Sequence, residues 1–480
     1  MTARLLLANG LELAVGAGVA RALRAPPGCA YLLGLATVGV LSAHLALVHV
    51  AFGWTALAVA AAVSLPLALR LRPRLRPRPL DAVALALLAA LLARAWVAFS
   101  TKPLDDYDAW AIWGMKARAL TLLGWADPSL FASRAALPAH PDYPLLVPSL
   151  EAVAARAMGG FDPRLVHLQF LLLGVAGIAA IHALARERAP RLVVWPLLLA
   201  LAAAPAFASQ LLTAYADVPL ALLVAAGTLA AARCLDRPGP RPAATAALLL
   251  GAAALTKEEG LLFAAAALLA LLLARAPWRR VLALAAGTEL LLAPWQAWLF
   301  LESPPRDPAQ ALALQPPGIG TVVVRKLLED ALSVPSWTLL LPLFGAAVLA
   351  AAGSRLAAFA WGWALLSLLG LAGIYVAAHG AWLAFSYSGY RVVDSLVVGA
   401  AALTPLLLAE ALRPQAATTR ASSSIEVSPA ATFASPSSQS VRIPERRAAR
   451  SISSRLAFAT ASDSISSLIC RSWKMPIRPR

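Results

Sequence analysis

Three aspartates stand close together in a polar segment that directly follows an apolar run of the sequence. Asp105, Asp106 and Asp108 are followed after a short interval by Trp110 and Trp113. One carboxylate could remove a proton from an acceptor hydroxyl, or two could bind a divalent ion through their hard oxygen atoms. Asp108 could also cap a helix that the tryptophans anchor at a membrane interface. The residue types leave these alternatives open, and a capped helix would itself fix the acids in place.

A second polar segment contains His140, Asp142 and Tyr143, interspersed with prolines. Proline lacks an amide hydrogen and restricts the residue before it, so we expect an extended entry into the next helix. Tyr143 fits an anchor at the membrane interface. His140 or Asp142 could contact a substrate, although a purely structural role is the simpler alternative.

Charged residues also stand at the ends of later apolar runs. Asp217 lies two residues before Pro219, which suits a helix N-cap, or it could face the same compartment as the first aspartates. Residues 256–259 separate two apolar runs, and the first and last of them fit a helix capping box. Charges between membrane runs are costly unless partners meet them, which favours a functional role for Lys257 and Glu258. Lys257 could pair with a phosphate group.

The last apolar run opens near an arginine. Arg391 follows Tyr387, and its planar guanidinium suits recognition of a phosphate through paired hydrogen bonds. The alternative is that the side chain only extends along the helix end toward water. Asp394 follows one turn later and could pair with Arg391.

The elements that must position these residues are apolar helices. The chain has 480 residues, of which 60% are hydrophobic and 14% are charged, against roughly a quarter charged in ordinary soluble domains. Backbone inside a bilayer must satisfy its own hydrogen bonds, and unbroken runs of Leu, Ala and Val indicate helices rather than barrel strands. We expect thirteen spans, at residues 5–22, 29–50, 53–69, 80–99, 164–184, 192–210, 218–234, 243–257, 260–275, 281–300, 337–352, 357–378 and 390–411.

The arginines predict the orientation of these spans. Five arginines lie within residues 70–78, and the other short basic loops fall on the same side when the spans are counted onward. Short arginine-rich loops mark the cytoplasmic side of a membrane protein. The acid-rich loops 100–163 and 301–336 then face the opposite, outer side. This distribution accounts for the net charge of +17 without nucleic-acid binding.

The sequence divides into three predicted regions. Residues 1–79 hold N-terminal transmembrane helices and the basic cytoplasmic loop, and residues 80–411 hold a transmembrane catalytic region. Residues 412–480 form a Ser- and Arg-rich cytoplasmic tail without a sustained apolar run, which we predict to be disordered.

The order of these motifs resembles that of family-39-like bacterial membrane glycosyltransferases of the GT-C fold. The positions that carry the resemblance are Asp108-Ala109-Trp110 with Trp113 and Lys116-Ala117, then 143–148, 213–219 and 257–260. The resemblance as a whole covers about residues 80–411, with these motifs in consistent order. The resemblance implies an all-α polytopic, GT-C-like bundle of about 11–13 transmembrane helices, whose first outer loop carries amphipathic helices.

The resemblance also implies a reaction. Members of the family take a sugar from a polyprenyl-phosphate donor, usually with inversion, and a first-loop acid serves the acceptor. This chain would then be a hexosyl- or pentosyltransferase acting on a cell-envelope glycan, lipid or protein at the outer face. The implied site residues are Asp105, Asp106 and Asp108 for catalysis, Lys257, Glu258, Tyr387 and Arg391 for the donor phosphate, and His140, Asp142 and Asp217 for the acceptor or as a second acid. Asp108 matches the motif aspartate, while Asp105 and Asp106 leave the identity of the base open and are candidate metal ligands.

Two other classes of membrane protein stay open. A secondary transporter would carry charges near mid-membrane in repeated halves, whereas these charges lie at span ends and no repeat is evident. A lipid-glycan polymerase or ligase would concentrate its chemistry in one late loop, whereas here the richest loop is early. The expected partners are membrane lipids and a lipid-linked sugar donor, with no cofactor beyond a possible divalent cation. The bias toward Ala, Leu and Arg indicates a bacterial, multi-pass inner-membrane protein.

Overall fold

The computed structural model describes residues 1–50, 53–70, 79–104, 106–237, 239–306, 318–379 and 389–413. Within these ranges all regular structure is helical, and no strand is present. The α-helices, in chain order, are α1 (Thr2–Leu23), α2 (Ala30–Leu47), α3 (Trp54–Ala68), α4 (Pro79–Thr101), α5 (Met115–Leu123), α6 (Pro128–Phe131), α7 (Leu146–Met158), α8 (Pro163–Ala185), α9 (Arg191–Ala203), α10 (Pro205–Leu211), α11 (Asp217–Asp236), α12 (Pro240–Ala254), α13 (Glu258–Leu273), α14 (Trp278–Glu302), α15 (Ile319–Ala331), α16 (Val334–Trp337), α17 (Leu340–Ala350), α18 (Arg355–Ile374), α19 (Gly389–Val392) and α20 (Asp394–Ala411).

Each of the thirteen predicted spans overlaps at least one of these helices. By length and composition, seven helical segments in the described ranges could cross a membrane, and they are built on α1, α2, α4, α8, α11, α18 and α20. Helices α9 and α10 add an eighth if they form one span bent by 61°. The bend lies at Pro205, because proline disfavours helical backbone at the residue before it. The structure confirms an all-α, multi-pass fold, with the other predicted spans on shorter or more charged helices.

Helix α11 lies at the centre of the bundle, where it packs against α8, α12, α13 and α20. Nearly all of its side chains are buried, whereas most described side chains of α3 and α4 are not. Exposed residues such as Val63 and Leu87 are apolar, so lipid accommodates them better than water does. Asp217, the first residue of α11, therefore begins the most enclosed helix of the bundle.

The two ends of α11 carry separate groups of charged side chains. Asp217 stands at the start, whereas Arg233 in the last turn lies 2.7 Å from Glu187, which follows α8. Arg237 contacts the same glutamate at 3.2 Å. Helix α11 has 20 residues, which gives about 30 Å of helix and matches the thickness of a bilayer core. The basic loops that follow α8 and α11 are thus a bilayer's thickness from Asp217, as the predicted orientation requires.

Helices α1 and α2 cross with their backbones almost in contact. A Cβ atom added to Gly16 would lie 1.7 Å from the carbonyl oxygen of Ala30, and one added to Gly34 would lie 1.9 Å from that of Glu12. Small residues allow such close crossings of membrane helices. Both helices pack against α7, so the N-terminal region contacts the loop that follows the candidate aspartates. The predicted domain boundary at residue 79 stays a prediction.

Candidate active site

Arg391, in the short helix α19, joins two aspartates that are far apart in the sequence. Its Nη2 donates hydrogen bonds to Oδ2 of Asp108 at 2.7 Å and to Oδ2 of Asp217 at 3.1 Å. The guanidinium carbon lies 4.1 Å from the centre of the Tyr215 ring, which is a favourable cation–π arrangement. Because these side chains are mostly buried, salt screens the ion pairs less than it would on an open surface.

Lys257 contacts the second carboxylate oxygen of Asp217. Its Nζ lies 3.0 Å from Oδ1 of Asp217 and 3.4 Å from Oε1 of Glu259. Asp217 therefore gives one carboxylate oxygen to each cation, and only 6% of its side chain is exposed. Together, Asp108, Asp217, Lys257 and Arg391 form an ion-pair cluster. The structure brings these four candidate residues together from four separate segments, while their roles stay predictions.

Neither aspartate of the ion-pair cluster caps a helix through its side chain. Asp217 is the first residue of α11, and Ala216 holds the N-cap position. Asp108 precedes a π-helical turn, Ala109–Gly114, and makes no capping hydrogen bond within the described chain. The physical reason is that Arg391 offers each carboxylate a full opposite charge as well as a hydrogen bond.

Lys257 owes its position to a break between α12 and α13. Its backbone is extended, with φ −151° and ψ 160°. The predicted capping box is wrong, because the Thr256 hydroxyl donates back to the carbonyl oxygen of Ala252 in α12 at 2.8 Å and the Glu259 carboxylate lies near Lys257. Gly260 permits the tight turn, since an added Cβ would lie 2.0 Å from the carbonyl oxygen of Ala253. The break therefore presents the lysine at a helix junction rather than inside a regular helix.

Two hydrogen-bonded links hold the first loop against this junction. The amide of Leu146, at the start of α7, donates to the carbonyl oxygen of Leu255 at 3.0 Å. The ring nitrogens of His167, on α8, lie 3.0 Å and 2.8 Å from the carbonyl oxygens of Lys102 and Leu212. The first link fixes the proline-rich segment beside the Lys257 break. The second fixes the start of the aspartate segment beside the turn that leads into α11.

Lys116 ties the two polar segments of the first loop to each other. Its Nζ donates to the carbonyl oxygens of His140 and Tyr143 at 2.5 Å and 3.1 Å. It also lies 5.6 Å and 5.5 Å from the ring centres of Trp113 and Tyr143. The sequence placed Lys116 inside the first-loop motif but gave it no function. Its contacts depend on the folding of one segment over the other, which no local pattern reveals.

Lys116, Asp142 and Glu258 form a second cluster of charged groups. Burial lowers the pKa of Lys116 to about 7, and the two carboxyl groups oppose the shift. Desolvation beside the neighbouring segments raises the pKa of Glu258 to about 7, and the charges of Asp142 and Glu259 add to the shift. Burial likewise raises the pKa of Asp142, while Lys116 partly offsets this effect. Groups with perturbed pKa values are concentrated at functional sites.

His140 has a constrained backbone at the edge of this second cluster. Its φ of 47° is in the left-handed region, which non-glycine residues seldom adopt. Its ring stacks on Tyr143 with the ring centres 4.6 Å apart. The structure therefore places His140 and Asp142 next to Lys116 rather than in the ion-pair cluster, and their contact with an acceptor stays a prediction.

The remaining site candidates are Asp105, Asp106 and Tyr387. Asp106 pairs with Lys102 at 2.7 Å and makes no hydrogen bond to Lys257 or Arg391 within the described chain. Asp105 lies outside the described residues, as does Tyr387. Among the residues that the structure describes, no three His, Cys, Asp or Glu side chains are grouped to hold a metal ion. Because Asp105 is not among them, the divalent-cation alternative stays a prediction.

Asp394 does not form the ion pair with Arg391 that its spacing suggested. Both of its carboxylate oxygens are buried without a hydrogen-bond partner in the described ranges. The guanidinium Nη2 instead contacts Asp108 and Asp217, which approach from other helices. Tertiary contacts have thus replaced the local helical pair, whose contribution in an isolated helix is small.

One comparison with known proteins agrees with the resemblance found in the sequence. Residues 142–298 match the family model of dolichyl-phosphate-mannose-protein mannosyltransferases, which confirms that resemblance over these residues. A solved structure, ArnT from Cupriavidus metallidurans in the apo state, is similar at 21% identity with a TM-score of 0.48. The similarity covers 70% of this chain and 62% of that protein, so the chain spans less than two thirds of it. A search of curated proteins found no significant match.

Proposed function

We propose that this protein transfers a sugar from a polyprenyl-phosphate-linked donor to an acceptor hydroxyl at the outer face of a bacterial inner membrane. The observation that carries the proposal is the ion-pair cluster. In it Asp217 bonds to both Lys257 and Arg391, and Arg391 also bonds to Asp108. Such a transfer requires a base for the acceptor and positive charge for the departing phosphate. The match of residues 142–298 to a family of lipid-phosphate-dependent mannosyltransferases supports it.

The chemistry balances with the residues that the cluster provides. The acceptor oxygen forms a bond to the anomeric carbon while the bond from that carbon to the phosphate oxygen breaks. The electron pair of the broken bond goes to the phosphate, which gains one negative charge near Lys257 and Arg391. The acceptor proton goes to a carboxylate. Attack from the side opposite the phosphate inverts the anomeric centre, and the sugar transferred is a hexose or a pentose.

Asp108 is the carboxylate best suited to receive the proton. A quarter of its side chain is exposed (25%), and Arg391 is its hydrogen-bonded cation in the described chain. Asp217 is 6% exposed and bonds to both Lys257 and Arg391, so its charge is too strongly stabilised for a base. We assign Asp108 as the base and Asp217 as a residue that positions the two cations.

The apolar surface of the bundle suits the lipid portion of the donor. Valines and leucines on α3 and α4 are exposed on the outside of the bundle, as expected for a protein whose partners are membrane lipids. A polyprenyl chain can therefore stay in the bilayer while its phosphate reaches the cluster at the start of α11. Cell-envelope glycans, lipids or proteins are the acceptor classes available on that face.

A transfer assay tests the proposal directly. Membranes containing the wild-type protein should transfer radiolabelled sugar from a polyprenyl-phosphate donor to a membrane acceptor. Asp108→Asn should reduce the rate by a factor of about 100 or more, the usual contribution of a general base. Equal transfer by both proteins would remove Asp108 from catalysis. Solute uptake into vesicles without any transfer would favour a transporter instead.

A further inference from the structure

A single nitrogen of Arg391 is shared by the two aspartates of the ion-pair cluster. Nη2 donates to both Asp108 and Asp217, and Nε is buried without a hydrogen-bond partner in the described ranges. We propose that Arg391 withholds the base until the donor binds: the donor's phosphate draws the guanidinium from Asp108 and frees that carboxylate to accept the acceptor's proton. This coupling rests on the proposed function and adds a condition to it, because the base becomes available only after the donor has bound.

The resting arrangement disfavours proton transfer to Asp108. Its Oδ2 lies 2.7 Å from Nη2 of Arg391, and a guanidinium at that distance stabilises the charged form of a carboxylate. A carboxylate held in this way has little affinity for the proton of a hydroxyl group. Asp108 can therefore serve as an efficient base only after the guanidinium has moved or found another anion.

The donor's phosphate is an anion that can compete for Arg391. Guanidinium groups bind carboxylate and phosphate oxygens through the same fork of N–H donors. The unsatisfied Nε of Arg391 is an additional donor for such a ligand. The Tyr215 ring, 4.1 Å from the guanidinium carbon, keeps the group in the site while its hydrogen bonds are exchanged.

Burial decides which of the two aspartates gives up Arg391. Asp217 is 6% exposed and would be left as a buried charge held by Lys257 alone, which is costly. Asp108 is 25% exposed, so water or the acceptor hydroxyl can replace the lost hydrogen bond. The phosphate therefore releases Asp108 rather than Asp217, and it does so only when the donor is present.

The coupling predicts that Asp108 opposes phosphate binding, which a merely structural residue would not do. The probe is undecaprenyl phosphate alone, and its Kd is measured with purified protein in detergent by thermophoresis. We expect Asp108→Asn to lower the Kd about tenfold, the effect of removing one competing charge-assisted hydrogen bond. Glu329→Gln removes one carboxylate charge outside the site, where Glu329 pairs with Arg325 on α15, and should change the Kd by less than about twofold.

A double-mutant cycle tests whether the effect passes through Arg391. In an Arg391→Gln background, Asp108→Asn should leave the Kd unchanged, because the contested guanidinium is absent. An Asp108→Asn protein that binds the probe no more tightly than wild type would overturn the coupling, as would an equal gain in both backgrounds. Size-exclusion profiles establish that each variant is folded.

The proposed function can fail separately from the coupling. Wild-type protein that transfers sugar, together with an Asp108→Asn variant of unchanged Kd, would overturn the coupling alone. Wild-type protein that neither transfers sugar nor binds undecaprenyl phosphate would overturn both.

Discussion

The backbone amide of Leu146 donates a hydrogen bond of 3.0 Å to the carbonyl oxygen of Leu255. This bond joins the proline-rich segment before α7 to the charged break before α13. Lys116 also binds this proline-rich segment, by donating to the carbonyl oxygens of His140 and Tyr143. The position of Lys257 therefore depends on the first outer loop as well as on the two helices that flank it. Substitutions in either segment should affect the same reaction.

Replacing Lys257 by methionine removes one of the two cations assigned to the departing phosphate. We expect kcat/KM for the lipid-linked donor to fall about a hundredfold, because one lost stabiliser of developing charge has an effect of that size. Initial transfer rates in proteoliposomes measure it. Lys326→Met is the matched control, since Lys326 pairs with Asp330 within α15. Similar losses in both variants would contradict the assignment.

The ring of Tyr215 should matter more than its hydroxyl group. Tyr215→Phe keeps the ring beside the Arg391 guanidinium, and we expect near wild-type transfer. Tyr215→Leu removes the cation–π contact, and we expect KM for the donor to rise about tenfold. Steady-state kinetics at varied donor concentration measure the two constants. If Phe and Leu were equally damaging, the hydroxyl rather than the ring would be responsible.

Gly260 should be intolerant of even one added carbon atom. Gly260→Ala places a Cβ 2.0 Å from a backbone carbonyl oxygen, and overpacking of this kind destabilises proteins by about 1–3 kcal/mol. Thermal unfolding followed by tryptophan fluorescence measures the change in Tm, and transfer should fall with it. Gly345→Ala in α17 is the control, because an added Cβ there meets nothing within 4 Å. A wild-type Tm for the Gly260→Ala protein would show that the helix junction adjusts freely.

Glu258 should make the stability of the protein depend on pH. Desolvation and two nearby acids raise its pKa from 4.5 to about 7, so folding favours the protonated form. Its contribution to stability is complete below pH 4.5 and is lost as the pH rises through 7. Burial lowers the pKa of Lys116 from 10.5 to about 7. Its contribution to stability is therefore complete above pH 10.5 and is lost as the pH falls through 7.

The measurement for Glu258 is Tm as a function of pH between about 5 and 8. The Glu258→Gln side chain cannot ionise, so the Tm of the variant minus that of wild type should increase as the pH rises. Glu329→Gln provides the comparison, since Glu329 is an exposed partner of Arg325 on α15. Parallel Tm curves for wild type and the Glu258→Gln protein would contradict a Glu258 that binds a proton on folding.

The sequence predicted most of the helices and the members of the ion-pair cluster for identifiable reasons. Uninterrupted apolar runs determine helices in a bilayer, and charges at the ends of such runs need partners. Asp108, Asp217, Lys257 and Arg391 stood out for that second reason. The sequence could not predict which of these charged residues form ion pairs with each other, because the pairs join residues up to 283 positions apart.

The incorrect expectations were all local ones. The capping box at residues 256–259 and the pair between Arg391 and Asp394 both assume that a side chain bonds to its nearest neighbours in sequence. In the folded chain, the Thr256 hydroxyl and Glu259 find other partners nearby, Ala252 and Lys257. Arg391 instead contacts aspartates of distant segments. The contact of Tyr215 with Arg391 was missed because it also arises only on folding, although Tyr215 lies inside a motif that the sequence had marked.

Helix α11 has 20 residues, with Asp217 at its first position and Arg233, which pairs with Glu187, in its last turn. It is a rod about as long as a bilayer core is thick, and ion pairs hold its two charged ends. A rod of about 30 Å has little length to spare, so a thicker or thinner bilayer must tilt it and shift Asp217 against Lys257 and Arg391. Lipid acyl-chain length should therefore alter the rate of sugar transfer, which reconstitution in short- and long-chain lipids would measure.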